Sequence, residues 1–97
     1  MNPVLESLRK ASPDLCRQFN LKNLGVFGSY AQNKNHAESD LDVLYDLKEN
    51  KSMSFRDFIK LEETIVQLTG VKKVDLVRVQ NINPFVWITV KKTVIYV

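Results

Sequence analysis

Apolar residues in this chain follow a helical spacing in some segments and form short continuous runs in others, which predicts helices alternating with strands. Each helical segment follows a residue or pair typical of a helix N-terminus, namely Asn2-Pro3, Ser54 and Asn83-Pro84. The apolar runs predict strands over residues 22–27, 41–47, 71–79 and 94–97, and a short helix is expected over residues 29–34. This alternation indicates an α/β or α+β fold in which helices flank a sheet.

Three features refine the predicted helices. Ser12-Pro13 repeats the start signal inside the first apolar face, so the leading segment is either two short helices or one kinked helix. The central helix has a continuous apolar face and is predicted to stop at Gly70, because glycine readily takes the left-handed conformation at a helix end. In the last helix, Phe85 and Trp87 are expected to pack in the core, with a partner surface as the alternative.

The composition predicts one soluble globular domain over residues 1–97, with 44% apolar and 26% charged residues. The net charge of +3 permits an anionic substrate, but the absence of a long basic run argues against direct nucleic-acid binding. Cys16 is the single cysteine and cannot form an internal disulfide, and no signal peptide or membrane-spanning run is visible. These features predict a cytoplasmic protein without a membrane anchor.

The stretch from Gly28 to Asp42 contains the candidate chemistry. Asp40 and Asp42 are two residues apart at the start of a predicted strand, so both side chains leave the same face. Two adjacent carboxylates repel each other, and a bound Mg²⁺ would remove that cost. Gly28 lets a phosphate approach the backbone, and a helix beginning just after it would direct free N–H groups at that phosphate. The alternative is a Gly-Ser turn followed by a solvated acidic strand end.

A third acid, Asp75, interrupts the apolar run of residues 74–77. An aspartate in a buried strand needs a partner, whereas on an edge strand it would simply face solvent.

The order of residues in this stretch resembles the nucleotidyltransferase signature of the polymerase β superfamily, which is Gly-Ser, ten residues and Asp-x-Asp. The flanking Tyr30-Ala31 and Ser39 are similar to its small stand-alone branch, the minimal nucleotidyltransferases (MNT). Residues 74–77 resemble the family's third-carboxylate strand, so the resemblance covers essentially the whole chain. It implies a polymerase β-like fold with a small mixed sheet flanked by helices.

The resemblance also implies a role for each candidate residue. Asp40, Asp42 and Asp75 are the implied catalytic acids, and together they would hold two Mg²⁺ ions. Asp75 would lie on the side of the attacking oxygen and act as a general base. Gly28 and Ser29 would bind the β- and γ-phosphates of a nucleoside triphosphate, here ATP.

The chain departs from the signature at residues 31–33, which are Ala-Gln-Asn where family members have Ala-Arg-Gly. Asn33 can take the left-handed conformation of glycine at modest cost. Gln32 lacks the charge of arginine, so the departure concerns nucleotide binding more than the fold. Lys34 could supply that charge, the alternative being a solvated loop lysine.

Minimal nucleotidyltransferases are typically the antitoxin half of HEPN/MNT modules. The resemblance therefore implies Mg²⁺-dependent transfer of AMP from ATP to a tyrosine of a helical HEPN-domain partner. One alternative is a catalytically vestigial binding module that neutralises or scaffolds such a partner by contact. Another is small-molecule nucleotidyl transfer, which needs an acceptor pocket. The acceptor, the nucleotide preference and the oligomeric state, a homo-oligomer included, stay open.

Overall fold

A computed structural model describes residues 2–97 and contains one four-stranded mixed sheet with helices around it. The helices are α1 (Pro3–Phe19), α2 (Gly28–Ala31), α3 (Phe55–Thr69) and α4 (Pro84–Thr93), with a 3-10 turn at Val79–Asn81. The strands are β1 (Leu21–Phe27), β2 (Leu41–Leu47), β3 (Val74–Arg78) and β4 (Ile95–Tyr96). The strand order is β3-β2-β1-β4, in which β2 and β3 run parallel and the other neighbours antiparallel. The expected mixed architecture is confirmed.

Side chains at the predicted start signals cap three of the helices. The backbone N–H groups of Val4, Asp57 and Phe85 donate to the side chains of Asn2, Ser54 and Asn83, at 2.8, 3.1 and 2.8 Å. Each bond satisfies an N–H that has no partner within its helix. The predicted stop of α3 is also confirmed, since Gly70 has a φ of 75°.

The leading segment forms one continuous helix, with Pro13 inside it. The neighbouring Ser12 is buried, and its hydroxyl donates to the carbonyl of Val97 at 3.0 Å. This bond gives the buried hydroxyl a partner and links α1 to the residue that follows β4.

The two faces of the sheet have different roles. α1 and α3 cover one face, where the buried core includes Leu8, Leu24, Val43, Leu61 and Ile65. Neighbouring strand residues point to the opposite face, because side chains alternate along a strand. That second face carries Asp42, Leu44 and Asp75, and it is the face on which the acids lie.

Three sequence predictions are corrected by the structure. α2 ends at Ala31 instead of residue 34, and the paired part of β3 begins at Val74 instead of residue 71. Phe85, which was expected in the core, is 83% exposed, so that prediction is wrong. α4 is apolar on several sides, and only the side bearing the buried Val90 contacts the rest of the fold closely. Within residues 2–97, no helix combines the length and the apolar character needed to cross a membrane.

Candidate active site

Asp42 and Asp75 lie side by side on adjacent strands. The parallel pairing of β2 with β3 places Asp42 in register with Asp75, between the apolar pairs Leu41–Val74 and Val43–Leu76. In-register residues of neighbouring strands point to the same face, so both carboxylates leave the sheet opposite α1 and α3. Asp40 precedes β2 by one residue. Two acids separated in the sequence by the whole of α3 are thus neighbours in the fold.

The charges of the three acids influence one another. Asp42 is half-buried, and its pKa is raised from 3.8 to about 6, first by burial, then by the charge of Asp75 and then by that of Asp40. Asp40 and Asp75 are exposed. Among residues 2–97, however, no three acidic, histidine or cysteine side chains already converge as metal ligands. Charge repulsion acts over longer distances than coordination, so these acids affect one another's charge without forming a ready-made coordination shell.

Gly28 lies directly against the Asp42 carboxylate. Phe27, the last residue of β1, pairs with Asp42, so the chain turns beside this acid as it leaves the strand. Gly28 has a φ of +71°, and a Cβ added there would overlap the Asp42 Oδ2 atom. Glycine takes this backbone conformation without strain, and it is the residue that leaves the Asp42 carboxylate in its observed position.

The turn that follows Gly28 is closed by a helix-capping motif. The N–H of Lys34 donates to the carbonyl of Ser29 at 2.8 Å, and the N–H of Asn33 donates to that of Tyr30 at 3.4 Å. Asn33 has a φ of 57°, the left-handed conformation that this pattern of bonds requires. Tyr30 is buried and connects the turn to the core. The backbone of residues 28–34 is therefore folded back on itself beside the acids.

Two of the grooves on the molecular surface have similar volumes, but only one of these two is lined by a predicted site residue. One, of about 420 Å³, is lined by Phe27, Gly28 and Gln32 on one side and by Phe85, Val86, Thr89, Val90 and Thr93 of α4 on the other. No signal in the sequence indicates this groove, because it forms between segments distant along the chain. The other, of about 410 Å³, lies between α3 and the start of β3 and includes none of the predicted site residues.

A mixed sheet with a glycine turn against paired strand acids defines a small nucleotidyltransferase. Residues 8–97 match the family model of the nucleotidyltransferase domain, and the chain belongs to this family. A relative from Methanocaldococcus jannaschii named a protein adenylyltransferase is 34% identical over 100% of this chain and 97% of its own length. The protein adenylyltransferase MntA of Thermococcus cleftensis is 36% identical over 96% of this chain and 92% of its own length.

Solved structures share the fold. One described as a minimal nucleotidyltransferase has a TM-score of 0.77 and 30% identity, covering 94% of this chain and 90% of its own. A chain in the complex of tri-AMPylated Shewanella oneidensis HEPN toxin with MNT antitoxin has a TM-score of 0.64. The match covers 96% of this chain and 70% of that one. At 17% identity, this second likeness shows the fold alone. The resemblance to minimal nucleotidyltransferases and the polymerase β-like fold that it implies are confirmed.

Proposed function

We propose that this nucleotidyltransferase transfers AMP from ATP to a tyrosine of a HEPN-domain protein. By this modification the nucleotidyltransferase would neutralise that protein and act as its antitoxin. The relatives named protein adenylyltransferase are similar over essentially the whole chain, which supports protein as the acceptor. The fold likeness to a chain in a complex containing AMPylated HEPN toxin supports the class of partner. The observation that carries the proposal is the in-register pairing of Asp42 with Asp75 beside Gly28.

The residues at this site fit Mg²⁺. Asp40, Asp42 and Asp75 offer only hard carboxylate oxygens, which are the ligands that Mg²⁺ prefers. The pKa of Asp42 is raised first by burial and then by the charges of Asp75 and Asp40, and a bound cation would relieve this electrostatic cost. When bound, Mg²⁺ would stabilise the negative charge of the phosphoryl group in transfer.

The chain's own residues then have distinct roles in the proposed reaction. Gly28 and Ser29 bind the β- and γ-phosphates and orient the α-phosphorus toward the acids. The tyrosine oxygen bonds to that phosphorus while the bond to the bridging oxygen breaks, and pyrophosphate leaves. Asp75, which is exposed, accepts the proton of the tyrosine hydroxyl. Positioning and charge stabilisation supply most of the rate enhancement in such transfers.

One feature favours the alternative of a binding module that acts by contact alone. Phe85 and Val86 of α4 are 83% and 52% exposed, and they line the groove that also includes Gly28 and Gln32. Apolar side chains exposed together are typical of surfaces that bind another protein. Such a module would neutralise its partner without modifying it.

Labelling the partner with ATP distinguishes the two functions. The chain is incubated with Mg²⁺, α-labelled ATP and a HEPN-domain protein, and both labelling of that protein and protection of cells from it are measured. We expect Asp40→Asn and Asp42→Asn to abolish labelling and protection while still binding the partner. Asp46→Asn is the matched control, because Asp46 lies at the other end of β2. Full protection by Asp42→Asn, with no labelling by the wild type, would show that contact alone is sufficient.

A further inference from the structure

We infer that Lys34 binds the β- or γ-phosphate of the nucleotide, an inference that rests on the proposed function. The first observation is the position of its backbone. The bond from the Lys34 N–H to the Ser29 carbonyl, at 2.8 Å, holds residue 34 directly beside the turn proposed to bind these phosphates. The left-handed Asn33 makes this return of the chain possible. A lysine side chain attached there reaches an anion bound against Ser29.

The second observation is that the Lys34 side chain is available. It is exposed, and it takes part in neither of the two ion pairs found among residues 2–97. Lys72, by contrast, pairs with Glu38 at 2.9 Å. Lys73 lies on the opposite side of the acids from the turn, since its carbonyl accepts from Leu41 and it lines the groove beside α3. Lys34 is therefore a cation next to Ser29, and no acidic side chain among residues 2–97 forms an ion pair with it.

The third observation is the charge balance of the cleft. Asp40, Asp42 and Asp75 place three acids in one neighbourhood, and the tail of ATP adds further negative charge. Gln32, which lines the groove together with Gly28, is neutral. A cation beside the distal phosphates would offset this repulsion, and charge-assisted hydrogen bonds to phosphate are stronger than neutral ones. Lys34 would therefore contact the triphosphate, and it would contact neither the adenosine nor the acceptor.

Calorimetric titration of the purified chain with Mg·ATP and with Mg·AMP tests this role. We expect Lys34→Met to weaken ATP binding by roughly tenfold, the loss typical of one hydrogen bond to a charged group, and to leave AMP binding unchanged. Lys34→Arg should retain ATP binding, because it keeps the charge. Lys48→Met is the control, since Lys48 is an exposed lysine just beyond the far end of β2. The backbone bond to Ser29 persists in each Lys34 variant, so the turn keeps its conformation.

Each outcome of this titration has a defined meaning. Equal ATP affinities for the wild type and Lys34→Met would overturn the inference while leaving the proposed function intact. Equal weakening of ATP and AMP would also overturn it, because the contact would then not involve the distal phosphates. If the wild type fails to bind ATP, the proposed function fails together with the inference.

Discussion

Asp42 on β2 and Asp75 on β3 occupy the same register position of a parallel strand pair and point to the same face of the sheet. Like charges placed side by side on neighbouring strands destabilise a sheet. The pairing is therefore unfavourable for the folded state unless a cation or a proton reduces the charge.

Without metal, removing the Asp42 charge should stabilise the protein in a pH-dependent way. The pKa of the Asp42 carboxyl is about 6 in the folded state, above the ordinary 3.8. At pH values between these two, the folded state binds a proton that the unfolded state has largely lost. The contribution of Asp42 to the free energy of unfolding therefore falls as the pH rises from about 4 to 6. Since asparagine does not titrate, the advantage of Asp42→Asn should grow through this window and stay constant above it.

We expect this advantage to reach on the order of 1 kcal/mol, discounted for the solvent screening of a half-exposed group. Urea denaturation in EDTA at several pH values measures it. Asp46→Asn, at the other end of the same strand, is the matched control. A wild type that is as stable as Asp42→Asn at pH 7.5 would mean that neither burial nor the neighbouring acids appreciably disfavour the charged form of Asp42.

Adding Mg²⁺ should reverse this order of stability. A ligand that binds only the folded state raises its stability by mass action. We expect millimolar Mg²⁺ or Mn²⁺, with ATP, to raise the melting temperature of the wild type, and the increase to be much smaller in Asp42→Asn and Asp75→Asn. Asp46→Asn should respond as the wild type does. Melts of the wild type that coincide with and without metal would argue against a metal site.

Gly28→Ala should impair the site more than the fold. The left-handed conformation costs an alanine about 1–2 kcal/mol, and this cost should also appear in Gly70→Ala, where φ is +75°. At Gly70 an added Cβ meets no atom within 4 Å, whereas at Gly28 it overlaps the tip of the Asp42 side chain. That tip can rotate away, so we expect similar unfolding free energies for the two variants.

The two glycine variants should differ instead in their response to Mg²⁺ and in AMP transfer, both of which should be lost only in Gly28→Ala. Thermal melts with metal and the labelling assay measure the difference. Retention of normal transfer by Gly28→Ala would mean that the position of Asp42 against the turn is not needed for the reaction.

Asn33 should be replaceable by glycine but not by valine. Its φ of 57° suits glycine, so Asn33→Gly should leave the free energy of unfolding within a few tenths of a kcal/mol, whereas Asn33→Val should lower it by about 1–2 kcal/mol. Asn50→Val is a matched control, because Asn50 has a φ of 63° in a turn outside the candidate site. Only Asn33→Val should also weaken ATP binding, as it releases Lys34 from Ser29. Equal ATP affinities for the two valine variants would contradict this coupling.

Local signals in the sequence were sufficient to predict most of the elements. Asn2, Ser54 and Asn83 cap helices as their types indicate, and β2 spans the residues expected of it. The Gly-Ser and Asp-x-Asp spacing identified the family, because it belongs to one contiguous stretch of chain. Signals of this kind depend on interactions over a few residues, which the sequence displays directly.

Features that depend on distant pairing could not be predicted in the same way. The register that matches Asp42 with Asp75 is a property of two strands, and neither strand alone specifies it. The exposure of Phe85 could not be predicted for a similar reason. An apolar residue is buried only if a distant part of the chain covers it, and no local signal shows whether this happens. The return of Lys34 to Ser29 depends on the left-handed conformation of Asn33, which asparagine tolerates but does not require.

The separation of the acids along the chain has a consequence for folding. Asp40 and Asp42 emerge from the ribosome before α3, whereas Asp75 follows it, and β3 can pair with β2 only after that connection has closed. Non-local closures of this kind are slow relative to helix or hairpin formation. A nascent chain that has paired only β1 with β2 therefore has the Gly28 turn, Asp40 and Asp42 but lacks Asp75. The complete set of three acids would arise as a late event, so that a truncated or half-folded copy would lack the third acid of the site.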